Sequence, residues 1–247
     1  MADPYLRFVG VEKSFGDHRV LRGVDLDVTE GETVVVLGGS GSGKSVLLRH
    51  AVGLFRPDAG QVFVDAVEIS QLDEDDLLET RKKVGMLFQS GALFDSMTVR
   101  ENVAFALREH TDWENAKVIA RVEEVLRLVE LEDVLALMPS DLSGGMRKRV
   151  ALARAIALAP AAILYDEPTT GLDPITANTI NHLIRSLQKR LGVTSIVVTH
   201  DIHSAFTVGD RIAFLHDGKI KFHGTTAEAR EAQEPLLKNF LEGGGYA

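Results

Sequence analysis

The segment Gly38-Gly39-Ser40-Gly41-Ser42-Gly43-Lys44-Ser45 dictates more of this fold than any other stretch of the chain. It fits the pattern G-x-x-x-x-G-K-S/T, a turn that wraps phosphate. Glycines let the backbone enter conformations that a Cβ would block, so successive N–H groups can turn inward toward an anion. Such a turn has to leave a strand and open a helix, whose positive end adds to the field. Both flanks are present. Thr33-Val34-Val35-Val36-Leu37 is an apolar run suited to a strand buried on both faces of a parallel sheet, and Lys44 to Leu54 reads as a helix. In this motif Lys44 reaches the β- and γ-phosphates of a nucleotide, and the Ser45 hydroxyl ligates Mg2+.

The remaining pattern places that turn in an α/β chain. Ala162-Ile163-Leu164-Tyr165 and Ser195-Ile196-Val197-Val198 are further buried-strand candidates, with helical stretches such as Thr176 to Leu191 between them. Strands alternating with helices give βαβ units and a mostly parallel sheet. Ahead of the turn, Leu6 to Val28 reads as short strands with polar breaks. There Val20, Leu21, Val24, Leu26 and Val28 approximate the alternation of a half-exposed antiparallel sheet. From about Ser90 to Leu158 the texture is helical without clear strands, and Trp113 to Leu131 carries one apolar stripe of Val118, Val122, Val125, Leu126 and Val129. The expectation is one domain: an α/β P-loop NTPase core with an N-terminal antiparallel β subdomain (about 1-89 and 159-247) and an inserted helical lobe (about 90-158).

Composition narrows the setting. The chain has 247 residues, enough for a sizeable core, and no run of about 18 apolar residues that would span a membrane. It has no cysteine, which excludes disulfides and thiol metal sites. A formal net charge of −9 argues against a general nucleic-acid binder, which carries a basic excess. The opening MADPYLRFVG lacks the basic and apolar blocks of a signal peptide, so a cytosolic location is expected. Gly243-Gly244-Gly245 is expected to fray. Asp73 to Asp76 reads as a solvated loop and helix start. Arg81-Lys82-Lys83 and Arg147-Lys148-Arg149 read as solvated helix faces, with phosphate or partner contacts as the second reading.

Asp166 and Glu167 follow the strand candidate Ala162 to Tyr165, and ligands of parallel sheets sit beyond the carboxyl ends of the strands. Asp166 is expected to hold Mg2+ directly or through water, and Glu167 to polarise the attacking water.

Leu142-Ser143-Gly144-Gly145-Met146 then resembles the LSGGQ signature of the ABC ATPases, and other elements of that family match in order. Gln89 resembles the Q-loop glutamine that touches Mg2+ or water. Gly171-Leu172-Asp173 resembles the D-loop at the subunit interface. His200 resembles the switch histidine, and Phe15 stands where an aromatic ring stacks on adenine. The resemblance runs from about Leu6 to Leu241. It implies two copies sandwiching ATP and Mg2+ head to tail, with Ser143, Gly144 and Gly145 of one chain closing over the γ-phosphate held by the other. It also implies an integral membrane permease as partner, driven through the helical lobe near Gln89 to Val103. Gly91 to Val99, Leu107 to His110 and Met138 to Asp141 are similar to the Mla-type ATPases that serve phospholipid transport with MCE-domain proteins at the inner membrane of Gram-negative bacteria. Two departures matter. Met146 cannot make the polar contacts of a glutamine amide, and Phe15 stacks without a tyrosine hydroxyl. The long tail that some of the subgroup send to the partner ATPase is expected to be reduced or absent. Two other uses share these motifs: a non-transporting regulator of a membrane partner, and a cytosolic ABC ATPase acting on nucleic acid.

Overall fold

The computed structural model describes residues 4–243. In chain order the elements are β1 (Leu6–Phe15), β2 (His18–Val28), β3 (Thr33–Leu37), α1 (Lys44–His50), β4 (Ala59–Val64), β5 (Val67–Glu68), α2 (Glu74–Lys82), β6 (Val84–Leu87), α3 (Val99–His110), α4 (Asn115–Leu128), α5 (Gly144–Ala155), β7 (Ala162–Asp166), α6 (Pro174–Leu191), β8 (Thr194–Thr199), α7 (Ile202–Val208), β9 (Arg211–His216), β10 (Lys219–Thr225), α8 (Thr226–Arg230) and α9 (Pro235–Leu241). They form two compact units, one of residues up to Arg81 together with those from Thr194 onward, the other from Lys82 to Val193. Gly244 and Gly245, where fraying is expected, lie outside the described residues.

In the first unit, β2, β1, β4 and β5 make an antiparallel sheet in that order. The polar breaks expected between short strands are absorbed instead as bulges within a long ribbon, in which Leu6 faces Val28 and Phe8 faces Leu26. One bulge falls at Gly10, with φ of 57°, whose N–H donates to Asp25 Oδ1 at 2.8 Å. Beside it, β3 runs parallel to both β8 and β9, and β10 closes onto β9 antiparallel. Val34, Val35, Val36 and Leu37 have no exposed surface, which explains why the run does not alternate. Helix α1 stops at His50, short of the expected Leu54. Gly53, with φ of 63°, lets the Leu54 N–H return to the Arg49 carbonyl at 2.9 Å, the wrap that ends many helices.

In the second unit, β6 and β7 pair in parallel with Leu87 opposite Tyr165. Helices α3, α4 and α5 pack on one another through Val103 and Leu107, the α4 stripe of Val118, Val122 and Val125, and Val150 and Leu152. Thr98 opens α3 with a reciprocal cap. Its hydroxyl accepts from the Glu101 N–H at 3.3 Å, and the Glu101 carboxylate accepts from the Thr98 N–H at 2.8 Å. Arg121 of α4 donates to the Ile156 and Ala157 carbonyls at 2.9 Å each, satisfying the end of α5. Helix α6 starts earlier than the expected Thr176, because Asp173 caps it and Pro174 occupies its first turn.

Candidate functional site

The glycine turn leaves β3 at its carboxyl end. β3 and β8 are in parallel register, Leu37 opposite Thr199, and the Gly38 N–H donates to the Thr199 carbonyl at 3.3 Å. The turn and His200 therefore start from neighbouring strand ends. A Cβ on Gly38 would sit 2.3 Å from the Leu215 carbonyl oxygen, so β9 excludes any side chain there. Gly41 and Gly43 have φ of 77° and 102°, in the region that favours glycine. Lys44 is 6% exposed, and its ammonium turns into the loop, donating to the Gly38 and Gly39 carbonyls at 2.9 Å each. Helix α1 has no side-chain cap and no acid in its first turn. Ser45 lies half-buried in that first turn, and the buried Ser42 Oγ has no partner among the described residues. Gly39 and Ser40 are progressively more exposed toward the tip.

Phe15 ends β1 with 45% of its surface exposed. Phe55 meets it edge-on at 5.4 Å, and the Lys13 ammonium lies 5.8 Å from its centroid, anchored on Asp58 at 2.7 Å. The ring is thus braced while keeping open surface. His200 is exposed after β8, followed by Asp201, which caps α7 by accepting from the Ser204 N–H.

In the second unit the paired strands β6 and β7 bring Gln89 close in chain to one end and Asp166 and Glu167 to the adjacent end. Gln89 is exposed, whereas Asp166 and Glu167 are buried. Glu167 has φ of 48°, rare for a side-chain-bearing residue. Its carbonyl accepts from the Thr170 N–H at 3.3 Å and its carboxylate from the Thr170 hydroxyl at 3.1 Å. Lys148 approaches from α5, where its ammonium donates to the Gln89 carbonyl and, at 3.5 Å, to the Glu167 carbonyl. Burial pushes the Lys148 ammonium below its ordinary lysine value, and the Asp166 and Glu167 carboxylates oppose that shift.

This corrects the reading of Arg147-Lys148-Arg149 as a solvated face. Only Arg147 is exposed; Lys148 is buried, and Arg149 donates to the Val129 and Glu130 carbonyls at 3.3 and 3.1 Å. Helical spacing carried a signal for Lys148, because it precedes buried Ala151 and Leu152 by one turn. Arg81 likewise donates to the Val52 and Gly53 carbonyls. Thr170 carried no comparable signal.

Ser143 caps α5, its hydroxyl accepting from the Met146 N–H at 3.3 Å, and Ser143 and Gly144 face solvent. A Cβ on Gly145 would fall 2.7 Å from Thr176 Cγ2, so that glycine lets α5 approach α6. Asp173 accepts from the Ile175 and Thr176 N–H groups and from the Thr176 hydroxyl, which together hold its carboxyl below the usual range. Beside it, Ile175 is 81% exposed.

Residues 21–170 match the ABC transporter family, and the chain belongs to it. It is an ATP-binding, ATP-hydrolysing subunit of an ABC transporter, and no helix among its described residues is long and apolar enough to cross a membrane. It is 41% identical to the "intermembrane phospholipid transport system ATP-binding protein MlaF" of Haemophilus influenzae, over 92% of this chain and 86% of that one. It is also 41% identical to the "probable ribonucleotide transport ATP-binding protein mkl" of Mycobacterium leprae, over 95% of this chain and 67% of the relative, so it spans about two thirds of that protein's length. In three dimensions it resembles the dimeric, post-hydrolysis ATP-binding cassette MJ0796 bound to ADP and Pi, with a TM-score of 0.82, 36% identity, and coverage of 89% of this chain and 98% of that one.

Proposed function

We propose that this subunit hydrolyses ATP with Mg2+ between two head-to-tail copies of itself and so energises phospholipid movement through a separate membrane permease. In this reading Phe15 stacks on adenine, and Gly38 to Gly43 and Lys44 cradle the phosphates. Gln89 and His200 attend the γ-phosphate, and Glu167 accepts a proton from the attacking water. Ser143, Gly144 and Gly145 of the second copy close each site. The observation that carries it is the buried Lys44 ammonium held on the Gly38 and Gly39 carbonyls of a glycine-rich turn at a strand end, with an unpartnered Ser42 hydroxyl in the same turn. That arrangement suits an anion with several oxygens.

The Ser45 hydroxyl, Gln89 amide and Asp166 carboxylate are the hard oxygen donors that Mg2+ prefers, together with phosphate oxygens. Among the described residues no group of three His, Cys, Asp or Glu could hold a metal alone. Bound there, Mg2+ would neutralise charge on the β- and γ-phosphates. Phosphoryl transfer to water gives ADP and phosphate. Because the γ-phosphate bridges the copies, its loss loosens the pair, and this difference in affinity drives the motion. The working unit is a single ABC ATPase domain, with a helical lobe at about 90-158 and an α/β core at about 1-89 and 159-247. It sits on the cytoplasmic face of the inner membrane, with an MCE-domain lipid-binding protein in the same complex. The MlaF relatives support the phospholipid assignment.

Glu167→Gln tests the chemistry. The variant binds ATP, turns over very slowly and accumulates dimer on size-exclusion chromatography with ATP; a monomer peak with wild-type turnover refutes the reading. Mild-detergent purification with its partners, followed by mass spectrometry of proteins and lipids, tests the substrate. Recovery of a permease without phospholipid refutes that part.

A further inference from the structure

We infer that Lys148 is a positioning residue for ATP hydrolysis: its ammonium ties the backbones of Gln89 and Glu167 to the helix that opens at Ser143, and so fixes where the Glu167 carboxylate points. The inference rests on the proposal that Glu167 polarises water.

Three observations converge. The first is burial. Lysine is almost never fully buried unless paired, yet Lys148 is 6% exposed, and its ammonium donates to peptide carbonyls, those of Gln89 and Glu167. A cation held this way orients peptide planes; it does not merely neutralise a surface charge. The second is strain. Glu167 occupies the left-handed region at φ of 48°, which side-chain-bearing residues rarely adopt. Such a conformation persists only where the surroundings over-determine it. Here Lys148 and the Thr170 N–H share the Glu167 carbonyl, while the Thr170 hydroxyl holds its carboxylate. Peptide and side chain of Glu167 are therefore clamped separately, the peptide by a charged donor. The third is location. Lys148 sits in the second turn of α5, whose capped end is Ser143, and the two strand ends it joins belong to one parallel pair. One side chain thus ties three segments that are far apart in sequence.

Removing the charge takes the ammonium donor from the Gln89 carbonyl, leaves the Glu167 carbonyl with the Thr170 N–H, and relaxes the Glu167 turn. The nucleotide's own contacts stay intact, so the loss falls on turnover and not on binding.

The test measures ATP affinity, kcat and melting temperature in the full chain for Lys148→Met, Lys148→Arg, Glu167→Gln and the double variant Lys148→Met/Glu167→Gln. Lys148→Met is expected to lower kcat about 10- to 100-fold, the range for a displaced reacting group, with ATP affinity within about twofold of wild type. Lys148→Arg restores most of the rate, because it returns a cation that donates to carbonyls. In the Glu167→Gln background the same change lowers residual turnover less than about twofold, since both act on one event. Should Lys148→Met not fold, Lys148→Gln, which keeps one amide donor, carries the comparison and falls between the two. A folded Lys148→Met or Lys148→Gln with wild-type kcat overturns the inference. So does a matched fall in rate, affinity and melting temperature that arginine fails to rescue, which would mark a fold contact only. Wild-type turnover by Glu167→Gln removes the premise and the inference together. An inactive Glu167→Gln beside a fully active Lys148→Met removes the inference alone.

Discussion

Gly38→Ala is the sharpest test of how the phosphate turn is built. An alanine Cβ would lie 2.3 Å from the Leu215 carbonyl oxygen and 2.9 Å from Ser42 Oγ. Ordinary contact starts near 3.4 Å, so something must give by about 1 Å. Ser42 can rotate away, but the Leu215 carbonyl belongs to β9, which is pinned between β3 and β10. Overpacking of this kind costs about 1–3 kcal/mol, and an immovable backbone atom puts it toward ~3. At about 2–4 °C per kcal/mol for a chain of this size, the melting temperature should fall by about 6–12 °C. Gly41→Ala is the control within the same turn. Its Cβ would meet nothing within 4 Å, so only the positive φ of 77° opposes it. That costs about 1–2 kcal/mol, partly offset by the stiffer unfolded chain, leaving a drop of about 2–4 °C. Thermal melts and ATP titrations of both variants decide the matter. If Gly38→Ala melts within about 1 °C of wild type and binds ATP equally well, the close approach of β9 to the turn is not what keeps that position glycine.

Three further outcomes are expected. Phe15→Ala should weaken ATP binding by about 1–3 kcal/mol, the usual worth of a base stacked on an aromatic ring, whereas Phe15→Tyr keeps the affinity; equilibrium titration with a fluorescent ATP analogue reads both. Ile175→Glu should leave the monomer folded but abolish the ATP-dependent dimer peak of Glu167→Gln, because it places a carboxylate where an 81% exposed isoleucine awaits burial. His223 gives a pH dependence. Burial, with Arg211 beside it, pushes its imidazole from 6.5 down to about 4, while Asp27 opposes the shift. Between those values the unfolded chain binds the proton and the folded chain does not, so stability present above about pH 6.5 drains away as pH falls toward ~4. Buried His50 is shifted in the same direction. Urea titrations should show His223→Gln flattening part of that slope.

Much of the fold was legible because its buried strands have no polar face. Thr33 to Leu37 and Ala162 to Tyr165 read as strands buried on both faces, and every residue of β3 and β7 is buried. The ribbon β1–β2 was harder to read, since a bulge such as that at Gly10 interrupts alternation without ending the strand. Helix α1 was overread to Leu54 because a glycine-dependent helix stop depends on backbone bonds that a hydrophobic pattern does not reveal. In the candidate site, the glycine turn, the acids after β7 and the serine-glycine cap of α5 are written as short contiguous motifs. Lys148 is not. Its spacing from Ala151 and Leu152 signals a buried position but not its partners, because the carbonyl of Gln89 lies 59 residues away in the chain.

The placement of β3 between two parallel neighbours governs how the protein denatures. Amides at the heart of a sheet exchange with solvent only through the largest openings of a domain, whereas edge strands fray independently. The strand from which the cradle springs is therefore expected among the slowest-exchanging parts of its unit. A nucleotide seated there adds its binding free energy to global unfolding, so in a thermal-shift titration the midpoint should keep rising with the logarithm of nucleotide concentration above Kd.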